Sequence, residues 1–174
     1  STSDNSTTAS TRLTTIAQEP APLAESVTDA GLPYVDVALG KSDRKLRTEL
    51  LQKYYGRNLY LMAHLGNGVG FSIYAPDIQD VMTEYDFDSE LMQLPEHDGF
   101  KVFYMRPIKA IKLPYSAGIH MNLGTEYEGK TAYIYSKSLL TGNYERVNIT
   151  TVNEIGNVAI QTNELTDIIV LIAQ

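Results

Sequence analysis

The feature that most constrains this chain is the spacing of its apolar residues. From Leu32 onward they recur at every second position, in runs of about four to eight residues closed by Gly, Asn or Thr, which is the period of a half-buried β-strand. Tyr34, Asp36 and Ala38 alternate with Val35, Val37 and Leu39 and stop at Gly40. Leu59, Leu61, Ala63 and Leu65 alternate with Tyr60, Met62 and His64. Gly66-Asn67-Gly68 then turns the chain into a strand at 69–74, because Asn and Gly tolerate the positive φ that tight hairpins demand. Less regular strands are predicted near 83–88, 101–105, 110–113 and 118–123, and regular ones at 130–135, 144–150, 157–162 and 167–172. Many short strands at close spacing predict an all-β fold, a two-sheet antiparallel β-sandwich that is Ig-like in general architecture.

One segment has the other period. Ser42 is placed to cap a helix, Leu46, Leu50 and Leu51 share a face, and Gly56 is placed to end it, so a short amphipathic helix is predicted over 42–55. Its apolar face would cover one end or edge of a sheet.

The 174 residues suit one domain plus an appendage. Ten of the first fifteen residues are Ser or Thr, and Glu19-Pro20-Ala21-Pro22 follows, so residues 1–30 have little to bury and are expected to form an arm ahead of a sandwich domain at 31–174. Within the arm, Leu13-Thr14-Thr15-Ile16 has the side chains to add as a short strand to a sheet edge, its own or a neighbour's. The sequence begins at Ser1 rather than Met, for which removal of an upstream signal sequence is the expectation. Loss of an initiator Met alone is the alternative and would suit a virion protein.

The formal net charge of -7, with no basic run, argues against nucleic acid and anionic membrane surfaces, which are bound through clustered Lys and Arg. No apolar run approaches the roughly 20 residues of a membrane span. The absence of Cys excludes disulfides, thiolate metal sites and cysteine nucleophiles. No G-x-S-x-G elbow, H-E-x-x-H pair or Gly-rich phosphate loop occurs, and no catalytic or cofactor-binding residue is expected. His64 and His120 fall mid-strand, where packed or solvent-facing positions account for them, and His97 falls in the turn composition of Pro95-Glu96-His97-Asp98-Gly99.

Two constellations remain. Asp86, Asp88 and Glu90 alternate, so a continuous strand would present three carboxylates on one face, a candidate calcium site; a solvated strand face is the plainer alternative. Twelve tyrosines accompany no tryptophan, and Tyr133 and Tyr135 share a strand face, making a candidate surface for a glycan or a protein partner.

The helix, the first hairpin and the last strands resemble a β-sandwich module of secreted and wall-attached surface proteins of Gram-positive bacteria. The resemblance runs from Leu46 to Ile172. It rests on the segment from Leu51 to Leu65, on Phe71-Ser72-Ile73, and on Gly129-Lys130-Thr131-Ala132-Tyr133-Ile134-Tyr135. Glu145-Arg146-Val147, Gly156-Asn157-Val158-Ala159-Ile160-Gln161-Thr162 and Thr166-Asp167-Ile168-Ile169-Val170 complete it. It departs at Phe71, where the module often has Trp, and at Ile168, where an aromatic residue is the rule. The resemblance implies fold and an extracellular, cell-surface location, and it carries no catalytic residues.

The expected function is that of a non-enzymatic extracellular surface protein, a structural, adhesion or display module. The alternatives are a self-assembling filament or virion-coat subunit using the arm for strand addition, and a carbohydrate-binding module. Expected partners are other proteins or copies of the chain meeting through strand edges.

Overall fold

Alternation puts Val35 and Val37, Leu61 and Ala63, and Phe71 and Ile73 on one face of a pleated ribbon, and these side chains are buried together in one cluster. The computed structural model describes residues 31–40 and 43–174, and the backbone of 25–27. In chain order the strands are β1 (Glu25–Val27), β2 (Pro33–Ala38), β3 (Lys45–Leu46), β4 (Tyr60–His64), β5 (Val69–Tyr74), β6 (Tyr85–Asp86) and β7 (Ser89–His97). They continue as β8 (Phe100–Pro107), β9 (Ile111–Asn122), β10 (Thr131–Lys137), β11 (Tyr144–Thr151), β12 (Asn157–Leu165) and β13 (Ile168–Ile172). A single α-helix among the described residues, α1 (Thr48–Tyr54), lies between β3 and β4.

The strands form a six-stranded sheet in the order β1-β2-β4-β5-β9-β12 and a five-stranded sheet in the order β11-β10-β13-β8-β7, with β3 and β6 pairing apart. The fold is the all-β sandwich that the alternation predicts. The core lies between the sheets: Leu61, Phe71, Ile119 and Ile160 come from one, and Phe103, Met105, Ile134, Ile168 and Val170 from the other. Phe71 stacks on Phe87 at 4.8 Å between ring centroids.

Four expectations need correction. First, β2 and β4 run parallel, Val35 opposite Leu61 and Val37 opposite Ala63, so the six-stranded sheet is not wholly antiparallel. A parallel pair needs a crossover of a dozen or more residues, and residues 39–59, with β3 and α1, supply it.

Second, the helix is shorter than 42–55. Lys45 and Leu46 are extended because they pair with Asp86 and Tyr85 on β6, and tertiary pairing overrides a helical spacing. Ser42 lies outside the described residues, and the N-cap position falls to Arg47, whose side chain makes no cap hydrogen bond. Arg47 instead pairs with Asp43 and with Glu84 at 3.1 Å. Leu51 and Tyr54 are the buried helical residues, and Gly56, at φ 75°, closes the helix as expected.

Third, the two strands expected at 110–113 and 118–123 are one, β9. Pro114 sits opposite an irregularity of β12 between Thr162 and Glu164, where a missing N–H costs the ladder nothing. Fourth, a nine-residue strand, β7, precedes Asp98-Gly99. Both of those residues have positive φ, 50° and 81°, and His97 pairs with Phe100, as a two-residue primed hairpin turn requires. Glu25–Val27, which composition assigns to the arm, pairs with β2 at the sheet edge.

Burial is unequal on the two outer faces. In β13 the pattern alternates strictly, buried at Ile168, Val170 and Ile172 and half-buried at Ile169 and Leu171. In β4 four successive residues, Leu61 to His64, are all buried. One face of a sandwich sheet ordinarily meets water, so the outer side of the six-stranded sheet is atypical.

Phe71 fixes the centre of this arrangement. Phe71→Ala is expected to cost about 3–5 kcal/mol of unfolding free energy, and Leu140→Ala, at a 92% exposed position, no more than about 0.5 kcal/mol. Urea titration of the two variants checks both.

Candidate functional surfaces

Strand register assembles the outer face of the five-stranded sheet. One row reads Ile149, Tyr133, Leu171, Val102 and Leu94, and the next reads Arg146, Tyr135, Ile169, Tyr104 and Met92. Leu94, Pro95, Val102, Ile169 and Leu171 line a groove there together with Tyr135, Tyr144 and His97. The sheet is pleated, so once the inward residues of β13 are buried, Ile169 and Leu171 must point outward, and the sequence makes them as apolar as the core.

The groove continues into an apolar hairpin. Of the eight large hydrophobic side chains that are exposed among the described residues, five lie between Leu139 and Ile149 on the β10–β11 hairpin: Leu139, Leu140, Tyr144, Val147 and Ile149. Leu140 and Thr141 donate backbone N–H groups to Ser138 Oγ, which holds the turn with Leu140 outward.

The sequence candidates Tyr133 and Tyr135 lie on this face, both half-buried. Tyr133 meets Phe100 edge-on, at 6.2 Å between centroids, and Tyr135 lines the groove. Tyr104 donates its hydroxyl to Asp167 Oδ2 at 2.8 Å; burial, and then that carboxylate, pushes its pKa up to about 12. Burial likewise raises Tyr144. Sequence reasoning missed Leu94, Tyr104, Tyr144, Ile169 and Leu171. The available signal was the unbroken apolar run from Ile168 to Ile172, since a strand with one wet face should alternate.

The second outer face belongs to the six-stranded sheet. Its rows are Tyr34, Tyr60 and Tyr74; then Asp36, Met62, Ser72, Gly118 and Gln161; then Ala38, His64, Gly70, His120 and Ala159. His120 Nε2 and Ser72 Oγ are 3.0 Å apart, while His120 Nδ1 is buried with no hydrogen-bond partner. A Cβ on Gly118 would collide with Ser72 Oγ and crowd His120, so glycine is what lets the pair sit flat on the sheet. A serine–imidazole pair invites a nucleophilic reading. Here the imidazole has no group on Nδ1 to orient it, and Ser72 lies mid-strand with its neighbours Met62 and Gly118 in the ladder. Burial depresses the pKa of His120 to about 4, which makes it a weak base and a packed strand residue.

The carboxylates of 86–90 do not converge. Asp86 lies in β6, Asp88 in the bend and Glu90 in β7, so the continuous strand that would align them does not exist. Asp88 Oδ1 accepts from Arg44 Nη1 at 3.0 Å, Asp86 Oδ1 accepts from the Asp88 N–H, and Glu90 stands opposite Arg106. Among the described residues, no three His, Asp or Glu side chains are grouped to hold a metal ion. His97 is exposed beside Asp98. The arm candidates Leu13, Thr14, Thr15 and Ile16 lie outside the described residues. No described helix is long and apolar enough to cross a membrane. Comparison with protein families, characterised proteins and solved structures finds no match to this chain.

The buried imidazole predicts a pH dependence. Unfolded, His120 takes a proton near 6.5; folded, only near 4, so between these values the unfolded chain binds more protons. Its contribution is complete above about pH 6.5 and is lost as pH falls toward 4, by about 3 kcal/mol. His120→Gln should flatten the stability profile over that interval in urea titrations at stepped pH.

Proposed function

We propose that this chain is a non-enzymatic structural module of an extracellular surface, and that copies of it associate through the outer face of the five-stranded sheet. The observation that carries the reading is the groove of Leu94, Val102, Ile169 and Leu171 beside a hairpin that exposes Leu139 and Leu140. Groove and projecting leucine belong to the same chain, and self-complementary patches of this kind suit contacts between identical copies. Contiguous exposed apolar surface is the usual mark of a protein contact.

A glycan is the weaker occupant. Sugar binding needs ring faces ringed by hydrogen-bonding groups; Tyr135 and Tyr144 supply rings, but Leu94, Pro95, Val102, Ile169 and Leu171 make most of the lining apolar and the Tyr104 hydroxyl is already engaged by Asp167. The extracellular location is supported by the Ser/Thr-rich first residues and by the resemblance to wall-attached modules. A filament or particle coat is the assembled form to which such contacts would lead.

Sedimentation of the full chain over a concentration series tests the proposal. The native chain should associate with rising concentration. Leu171→Lys and Leu140→Ser should each abolish that association, and Ile108→Ser, at an exposed position on the β8–β9 connection, should leave it intact. A chain that stays monomeric throughout, or a glycan array signal that depends on Tyr135, would overturn it.

A further inference from the structure

A contact that buries the same patch on both partners closes on itself. Two copies satisfy it, and growth stops at the pair. A filament or coat therefore needs a second contact, between two different places on the chain, and the loops at the two ends of β8 supply them.

The Pro107 end of β8 is basic. Beyond it, Lys45, Lys109 and Lys112 surround a hollow with Glu84, Tyr85 and Asp86 in its wall. All three lysines are exposed, and among the described residues none of them makes an ion pair. The two carboxylates have partners of their own. Glu84 Oε1 accepts from Arg47 Nη1 at 3.1 Å, and Asp86 Oδ1 accepts from the Asp88 N–H at 2.9 Å. Three ammonium groups thus stand without a counter-ion around one hollow, in a chain whose net charge is -7.

The Phe100 end is acidic. Lys101 and Ala132 both stand opposite Ile172, and Thr131 stands opposite Thr151, so the β7–β8 turn, the connection into β10 and the connection out of β11 meet at one end of the five-stranded sheet. They carry Glu96, Asp98, Glu126, Glu128 and Glu154, all exposed, against Lys101 and Lys130, both half-buried. Lys101 is held by Glu96 at 2.9 Å, while Glu126, Glu128 and Glu154 make no ion pair among the described residues. The eight residues of β8, about 25 Å of extended chain, keep the two ends apart, so a copy does not bring its acidic loops to its own lysines.

The geometry points to a head-to-tail contact in which the acidic loop end of one copy enters the lysine-lined hollow of the next. Because it joins two different surfaces, every added copy leaves one of each free and the series stays open. The contact rests on the pairing through the five-stranded face proposed above. Exposed charge pairs hold a junction weakly one at a time, whereas two paired copies meet the next pair through two such contacts, whichever way round the pair is built.

A charge swap in the full chain tests this by sedimentation. The native chain should grow beyond the pair, and Lys109→Glu, Lys112→Glu should stop at the pair. Glu126→Lys, Glu128→Lys should stop there too. Mixing the two variants should restore growth, since the untouched acidic end of the first meets the untouched lysines of the second. Two reversals shift the net charge of -7 by four in either direction and leave both variants negative, so general attraction does not account for recovery. Raising the salt to 1 M, where the Debye length falls to about 3 Å, should return the native chain to pairs. A native chain that never passes the pair, a reversed variant that grows like the native chain, or a mixture that stays at pairs would each overturn the contact. A chain monomeric at every concentration removes the pairing itself, and this contact with it.

Discussion

The structure depends on three strands that have no charge to show to water. Residues 58–76 and 113–125 contain no Asp, Glu, Lys or Arg, and they fold as β4, β5 and the greater part of β9, side by side in the six-stranded sheet. Strands of this kind are typical of sheets dry on both faces, such as those of α/β proteins where helices cover both sides. One face is dried by the five-stranded sheet, through Phe103, Met105, Ile134, Ile168 and Val170. The parallel pairing of β2 with β4 belongs to the same arrangement, because parallel pairs are characteristic of sheets buried on both sides.

The five-stranded sheet follows a different rule. Its strands do alternate, and their outward positions could have been polar without disturbing the core. Ile169, Leu171, Val102 and Leu94 are nonetheless apolar. Folding does not require this, and a half-buried side chain forgoes part of the roughly 1.5–3 kcal/mol that its full burial would contribute. Two neighbouring sheets therefore break the dry-inside, wet-outside pattern on their outer faces, one with Tyr34, Met62, His64 and His120 buried and the other with Ile169 and Leu171 half-buried.

Much of this was legible from spacing alone. Period-two alternation located β4, β5, β10, β12 and β13 and hence the sandwich, because each has a buried face that forbids a one-residue slip. What failed did so for physical reasons. Leu46 satisfies a helical spacing and a strand position equally well, and only its partner Tyr85, 39 positions away, decides between them. Pro114 and Gly118 look like breaks, yet one faces a bulge and the other gives room to Ser72 and His120. Asp86, Asp88 and Glu90 alternate in sequence, but the bend after β6 separates them. On the five-stranded sheet, Tyr133 and Tyr135 share the face that carries the groove, whereas the groove around Tyr135 is made by residues from four other strands that no local pattern connects.

Charge bears on which face copies of the chain would bring together. At -7 overall, like molecules repel one another at distances up to the Debye length, about 8 Å at physiological ionic strength. The rows of the five-stranded face carry Lys137, Arg146 and Arg106 against Glu90 and Asp167, three cations to two carboxylates, so the excess negative charge lies elsewhere on the molecule. Bringing two such faces together confronts no local excess of like charge. Each Å² of apolar surface removed from water then contributes about 25 cal/mol against the freedom lost on association.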